Sequence, residues 1–163
     1  MRLFLIMLAL LAAGCAHRGI SKESVQLSDR TVTFPALREN PSGFVGKYVY
    51  LGGAIASVRN NPDGGEMEVV ELPLSRSGRP KEGVQSEGRF LARTDKFLDP
   101  IIYKRGMAVS LVGEVTGEKT AKLEEVSYRY PVVMVREMHL WSPDEGGSQT
   151  PQFHFGLGIF KGF

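Results

Sequence analysis

An unbroken apolar run from Leu3 to Ala13 opens the chain, and beyond Lys47 the texture changes to alternation. In "KYVYLGGAIASV", Val49, Leu51, Gly53 and Ile55 fall on one face, and Tyr48, Tyr50, Gly52 and Ala54 on the other. This period of two predicts a strand. A glycine pair inside a strand marks a bend or a close backbone approach, as where a strand coils around a small barrel. "RNNPDGG" predicts a turn, "EMEVVELPL" a second strand ended by Pro73, and "GRFLAR" a third. "FLDPIIYKRG" predicts a short helix, with Asp99 as N-cap, Pro100 at the first helical position and Gly106 as the stop. "MAVSLVGEV" predicts a fourth strand with Val109, Leu111, Gly113 and Val115 on one side. "TGEKT" predicts a turn and "EEVSYRYPVVMVREMHLW" a long last strand. Pro131 has no N–H to give a ladder, so it predicts an edge position or a bulge. Five strands with one short helix between the third and fourth describe an all-β fold, an OB-fold-like five-stranded Greek-key barrel. A generic antiparallel sandwich is the alternative.

The opening run is too short to cross a bilayer, which takes about 20 apolar residues. A buried amphipathic helix would carry polar positions through it. With Arg2 before it, the run reads as a signal peptide. It ends in Leu11-Ala12-Ala13-Gly14, immediately before Cys15, the single cysteine. This resembles the lipobox of bacterial lipoproteins, with Ala12 where Leu is commonest. A nucleophilic sulfur is what takes the diacylglyceryl group, so the only attached group expected is a covalent lipid on Cys15. An alkylated cysteine forms no disulfide, and the body must then hold on its core alone. Ala16 lacks the Asp that retains lipoproteins in the inner membrane, which points to the outer membrane. The divisions are therefore 1–14 signal peptide, 15–30 lipidated tether, 31–141 barrel, and 142–163 linker and tail. The tail follows "SPDEGGSQTP" and alternates Phe153, Phe155, Leu157 and Ile159 with glycines between. It suits either a contact with membrane or partner, or a sixth strand weakened by its glycines.

Composition narrows the function classes. A charged fraction of 23% and a net charge of +2 argue against disorder of the body, and no basic run makes a nucleic-acid partner the expectation. No nucleophile elbow, phosphate loop or zinc-protease motif occurs in the sequence. Glu66 and Glu68 share a strand face and Glu71 falls on the opposite one, so the trio does not converge. His139 and His154 have no second histidine at ligand spacing and no free thiol to complete a metal site. Neither a catalytic residue nor a metal site is expected. Arg79, Arg89, Arg93 and Trp141 are the candidate binding surface, on a face with which OB-folds bind oligosaccharides. The competing reading pairs Arg89 with Asp99 as a structural ion pair.

The segments "GKYVYLGGAI", "MEVVELPLSRSGRP", "SEGRFLARTDKFLDPIIYKRG", "VSLVGEV" and "YRYPVVMVREMHLW" together resemble the Slp family, the starvation-inducible outer-membrane lipoproteins of Gram-negative bacteria. Met107 stands where the family often has Arg, and Leu123-Glu124 where it often has Gly-Glu. The resemblance implies a lipoprotein anchored in the outer membrane by its acyl chains and facing the periplasm. The expected function is a non-enzymatic structural or interaction component of the envelope, with an envelope protein or glycan as partner. The alternative is a periplasmic binding module for a glycan, lipid headgroup or small ligand. A deep groove lined by Arg79, Arg89 and Arg93 would favour the binding module, and a flat apolar patch near Trp141 the interaction component.

Overall fold

A computed structural model describes residues 19–142. The signal peptide, Leu11 to Cys15 and the tail beyond Ser142 lie outside the described residues. Two short helices come first, α1 (Lys22–Leu27) and α2 (Phe34–Glu39), followed by a 3-10 turn at Pro41–Phe44. Five strands follow: β1 (Tyr48–Asn61), β2 (Gly64–Glu71), β3 (Arg89–Thr94), β4 (Ala108–Leu123) and β5 (Val126–Trp141). They close in the order β1-β2-β3-β5-β4, with β4 back against β1. All pairings are antiparallel except β3 with β5. This is the expected five-stranded Greek-key barrel.

The glycine pair does what its position predicts. β1 pairs with β4 from Tyr48 to Ala54 and with β2 from Gly53 to Asn61, so the exchange of partners falls on Gly53 and Ala54. A Cβ there would run into the Val70 carbonyl oxygen. The interior is filled by the predicted faces: Val49, Leu51 and Ile55 from β1, and Val109, Leu111 and Val115 from β4, with Met67, Val69, Phe90 and Val133. Phe34 and Leu37 of α2 join this core, Phe34 standing 6.1 Å from Phe90. Leu98, 1% exposed, enters it from the β3–β4 loop.

Four local expectations change. "FLDPIIYKRG" is a turn, because Asp99 spends its capping capacity on a single loop of chain. Its carboxylate accepts from the Ile101 N–H, and its carbonyl accepts from Ile102 and Tyr103. The helices stand before the barrel instead. Residues 19–30 do not behave as a tether throughout: Ser21 caps α1 through the Ser24 N–H and is itself bound to Glu137 of β5 at 2.6 and 2.8 Å. Ile20 is buried. The bonds to Glu137 span 116 positions, so six residues without an apolar stripe hold a helix that local periodicity does not announce. "TGEKT" does not turn. β4 runs through it, Gly117 sits at a bulge opposite Val132, and the chain reverses at Glu124-Glu125, with Glu124 at φ 55°. Arg89 pairs with Glu68 at 2.8 Å and not with Asp99. Pro131 meets its expectation, standing beside that bulge and one residue before β5 begins its parallel pairing with β3.

Candidate functional site

The four residues of the expected binding surface do not come together. Arg89 and Arg93 project from β3 toward β2, while Arg79 lies in the β2–β3 loop against Trp141. The Arg79 guanidinium carbon stands 5.7 Å from the indole centroid, and its nitrogens reach Glu82 and the Ser142 carbonyl, each at 3.3 Å. Trp141 is buried, and its Nε1 donates to Ser110 Oγ at 2.7 Å, which in turn donates to the Gly78 carbonyl. That chain fixes the β2–β3 loop over the start of β4. His139 packs edge-on to Trp141 at 4.5 Å. Among the described residues neither an arginine-lined groove nor an open apolar patch at Trp141 results. Among the described residues no cluster of His, Cys, Asp and Glu forms a metal site.

The outer face of β2 and β3 is a lattice of charge. Glu66 accepts from Arg93 Nε at 2.9 Å and from Lys119 Nζ at 3.0 Å. Glu68 accepts from Arg89 at 2.8 Å, from the Tyr130 hydroxyl at 3.2 Å and from Ser57 at 3.2 Å. Burial by itself raises the Glu66 carboxyl, and the bonds from Lys119 and Arg93 outweigh it, leaving Glu66 below the ordinary carboxylate range. Tyr130 is raised by burial and by the Glu68 charge. These groups satisfy one another on the outer face of the barrel.

A different arrangement lies beneath α1. A cavity of about 430 Å³ opens between α1, the α1–α2 loop, β1 and the end of β2. Val25, Val32, Leu51 and Leu74 give it an apolar wall, and Asp29, Arg30, Tyr50 and Glu71 supply its polar groups. A recess of about 390 Å³ shares Val25, Arg30, Tyr50 and Ser75 with it and extends toward Lys22 and Arg76. Asp29 is held by Thr31 through hydroxyl and N–H and by Lys47 at 3.1 Å, which lowers its carboxyl to about 2. Tyr50 is raised by burial, with the Glu137 charge adding to it.

Glu71 is the exceptional group. Alternation puts it on the core side of β2 with Met67 and Val69, and it is 6% exposed. Its Oε2 is sealed from solvent without a hydrogen-bond donor. Burial pushes its carboxyl above the ordinary range, a backbone N–H from Glu87 partly opposes this, and the Glu87 charge reinforces it. An unpaired buried carboxylate oxygen costs the fold about 1–3 kcal/mol. The sequence signal for this site was a glutamate at the end of an apolar strand face. Weighed only as a partner for Glu66 and Glu68, it gives no site.

Comparison with known proteins places the chain. The family model for the outer membrane lipoprotein Slp family matches residues 12–157, a span that includes Cys15. The uncharacterized lipoprotein YeaY of Escherichia coli K12 is 30% identical over 149 residues, covering 88% of this chain and 74% of that protein. The outer membrane protein Slp of the same organism is 27% identical over 157 residues, covering 96% and 83%. Among solved structures, the mitochondrial single-stranded DNA binding protein Rim1 of S. cerevisiae aligns with TM-score 0.38 and 10% identity, over 60% of this chain and 96% of that one.

Proposed function

Because the chain belongs to the outer membrane lipoprotein Slp family, we propose that it is a non-enzymatic binding module facing the periplasm. In this reading a lipid on Cys15 holds it to the membrane, and the cavity beneath α1 takes a glycan fragment, a lipid headgroup or another small periplasmic molecule. The observation that carries this reading is Glu71, whose carboxylate has one oxygen, Oε2, sealed without a donor beside a cavity, on a strand whose other two glutamates are both paired. A volume near 430 Å³ with an apolar wall and a few polar groups is of the size and character of small-molecule sites. A ligand donor that displaces the atoms covering Oε2 would supply what the fold withholds from Glu71. The ion-paired face of β2 and β3 supports the absence of catalysis, since its carboxylates and cations are already committed to each other.

The test is a titration of the isotope-labelled full chain with N-acetylglucosamine, glycerol phosphate and phosphoethanolamine in turn, followed by NMR. The expected result is that at least one probe shifts the signals of Arg30, Tyr50, Glu71 and Leu72, and that Glu71→Leu abolishes the response. Shifts confined to Arg89 and Arg93, or none with any probe, would contradict the proposal. Intact mass should also show an N-terminus at Cys15 with added acyl mass, and a free thiol there would remove the anchor.

A further inference from the structure

The loop between β3 and β4 exposes a cluster of large apolar side chains. Phe97 is 71% exposed, Ile101 76% and Ile102 54%, all within a stretch of six residues. The loop is not loosely attached. Leu98 is buried in the core, and its N–H and carbonyl are both bound by the Asn60 amide at 2.8 Å. Asp99 closes the tip through Ile101, Ile102 and Tyr103. The returning chain is bonded to Ile55 in both directions, Gly106 N–H to the Ile55 carbonyl and Ile55 N–H to the Met107 carbonyl. A segment held this firmly presents its apolar tip as a fixed feature, and a protein surface rarely concentrates such residues without a partner.

Charge and position select the partner. Lys96, Lys104 and Arg105 flank the tip, all exposed, and none of them is in an ion pair with a described residue. Asp95 and Asp99 lie in the same stretch, Asp99 being turned into the backbone of the tip, so residues 95–105 keep an excess of one positive charge. An apolar tip with this cationic excess matches an anionic lipid interface, where the apolar groups enter the acyl boundary and the cations meet phosphates. Protein–protein interfaces are instead depleted of lysine. The chain also approaches from this side. The loop returns into Ala108, which pairs with Trp141, and Gly19 packs on the Trp141 ring, where a Cβ would stand 3.6 Å from the indole. Cys15 lies four residues before Gly19, a reach of at most about 14 Å.

We propose that the β3–β4 loop lies in the lipid interface of the membrane to which the chain is anchored. Phe97, Ile101 and Ile102 enter the headgroup–acyl boundary, and Lys96, Lys104 and Arg105 bind lipid phosphates. The barrel is thereby held in one orientation, with the Glu124-Glu125 hairpin tip, at the other end of β4, directed away from the bilayer. The inference rests on the anchoring of Cys15 and goes beyond it, since a lipid tether alone leaves the barrel free to rotate.

The experiment places an environment-sensitive fluorophore at Pro100→Cys, or at Glu124→Cys as the control, in the acylated full chain. The chain is reconstituted in vesicles of phosphatidylethanolamine and phosphatidylglycerol. The expected result is a blue-shifted emission at position 100, quenched by acyl-chain-borne quenchers, with neither effect at position 124. The shift should be lost when Phe97, Ile101 and Ile102 are all changed to Ser, and reduced when phosphatidylcholine replaces phosphatidylglycerol. An acylated, vesicle-bound chain whose position-100 label stays in water overturns the proposal. So does a label shielded in native outer membrane but not in protein-free vesicles, which would assign the loop to a protein. A vesicle-bound chain that shows the shift but carries no acyl mass on Cys15 would support the loop and overturn the anchor.

Discussion

Glu66 and Glu71 lie on one strand and meet opposite fates. Glu66 faces outward, where Arg93 and Lys119 close on it from β3 and β4, and its carboxyl sits below the ordinary range although burial alone would raise it. Glu71 faces inward at the cavity, where burial raises its carboxyl. The charged and polar groups around it are Glu87 and Ser75 from the β2–β3 loop, Ser28, Asp29 and Arg30 from the α1–α2 loop, and Tyr50 from β1. None of them gives Oε2 a hydrogen bond. On the proposed function, the difference separates structure from function. A paired carboxylate on an outer face contributes to the barrel, whereas an unpaired one beside a cavity is a cost that a stability-driven fold would lose by substituting a neutral residue.

The most disruptive way to break the comparison is to disturb the strand that carries both glutamates. Gly53→Val sets a side chain against the Val70 carbonyl oxygen, where β1 passes from β4 to β2. Backbone cannot yield as a side-chain end can, so the expected loss is about 3 kcal/mol, at the upper end of overpacking costs, read as a lowered denaturant midpoint. Wild-type stability there would mean that β2 is not held in this register.

A smaller effect of opposite sign is expected at the cavity. Glu71→Gln removes the ionisable group and should stabilise the ligand-free protein by about 1–2 kcal/mol wherever the carboxyl is ionised, a rise of several degrees in Tm. Because the Glu71 carboxyl is raised in the folded state, its protonated form favours folding. That contribution is complete below the ordinary value of 4.5 and is lost as pH rises through the raised value. Wild type and variant should therefore have similar Tm in acid and separate toward neutral pH. Destabilisation by Gln at pH 7 would show that the ionised carboxylate is satisfied after all.

Glu66→Gln should cost about 1 kcal/mol at neutral pH, because its two cationic partners are each 40% exposed and screened by water. Here the carboxyl is lowered, so the stabilisation is present above the ordinary value and is lost as pH falls through the lowered one. The two glutamates thus predict thermal shifts of opposite sign at pH 7.

What the sequence disclosed follows the range of the forces involved. Alternation in β1 and β4 named the core residues, and the glycine pair marked the crossover, because period and backbone clearance are local properties. The β4–β5 reversal was misplaced because Gly117 looks like a turn residue while the true turn, Glu124-Glu125, contains no glycine. Helix α1 was missed because its cap is tied to Glu137, 116 positions away. The arginines were legible as charges, but not their partners: Arg89 and Arg93 are neutralised across a strand pair, and Arg79 is held by Trp141 elsewhere. Glu71 was visible only as a glutamate on an apolar face. That its Oε2 would lack a donor depends on α1, α2 and the β2–β3 loop all arriving around it.

The most direct test is an NMR titration of the Glu66 and Glu71 side-chain carboxyl carbons in the ligand-free full chain. The account predicts displacements in opposite directions, Glu66 titrating below 4.5 and Glu71 above it. If Glu71 titrates at or below 4.5 alongside Glu66, its carboxylate is paired and the cavity loses its claim to be the binding site.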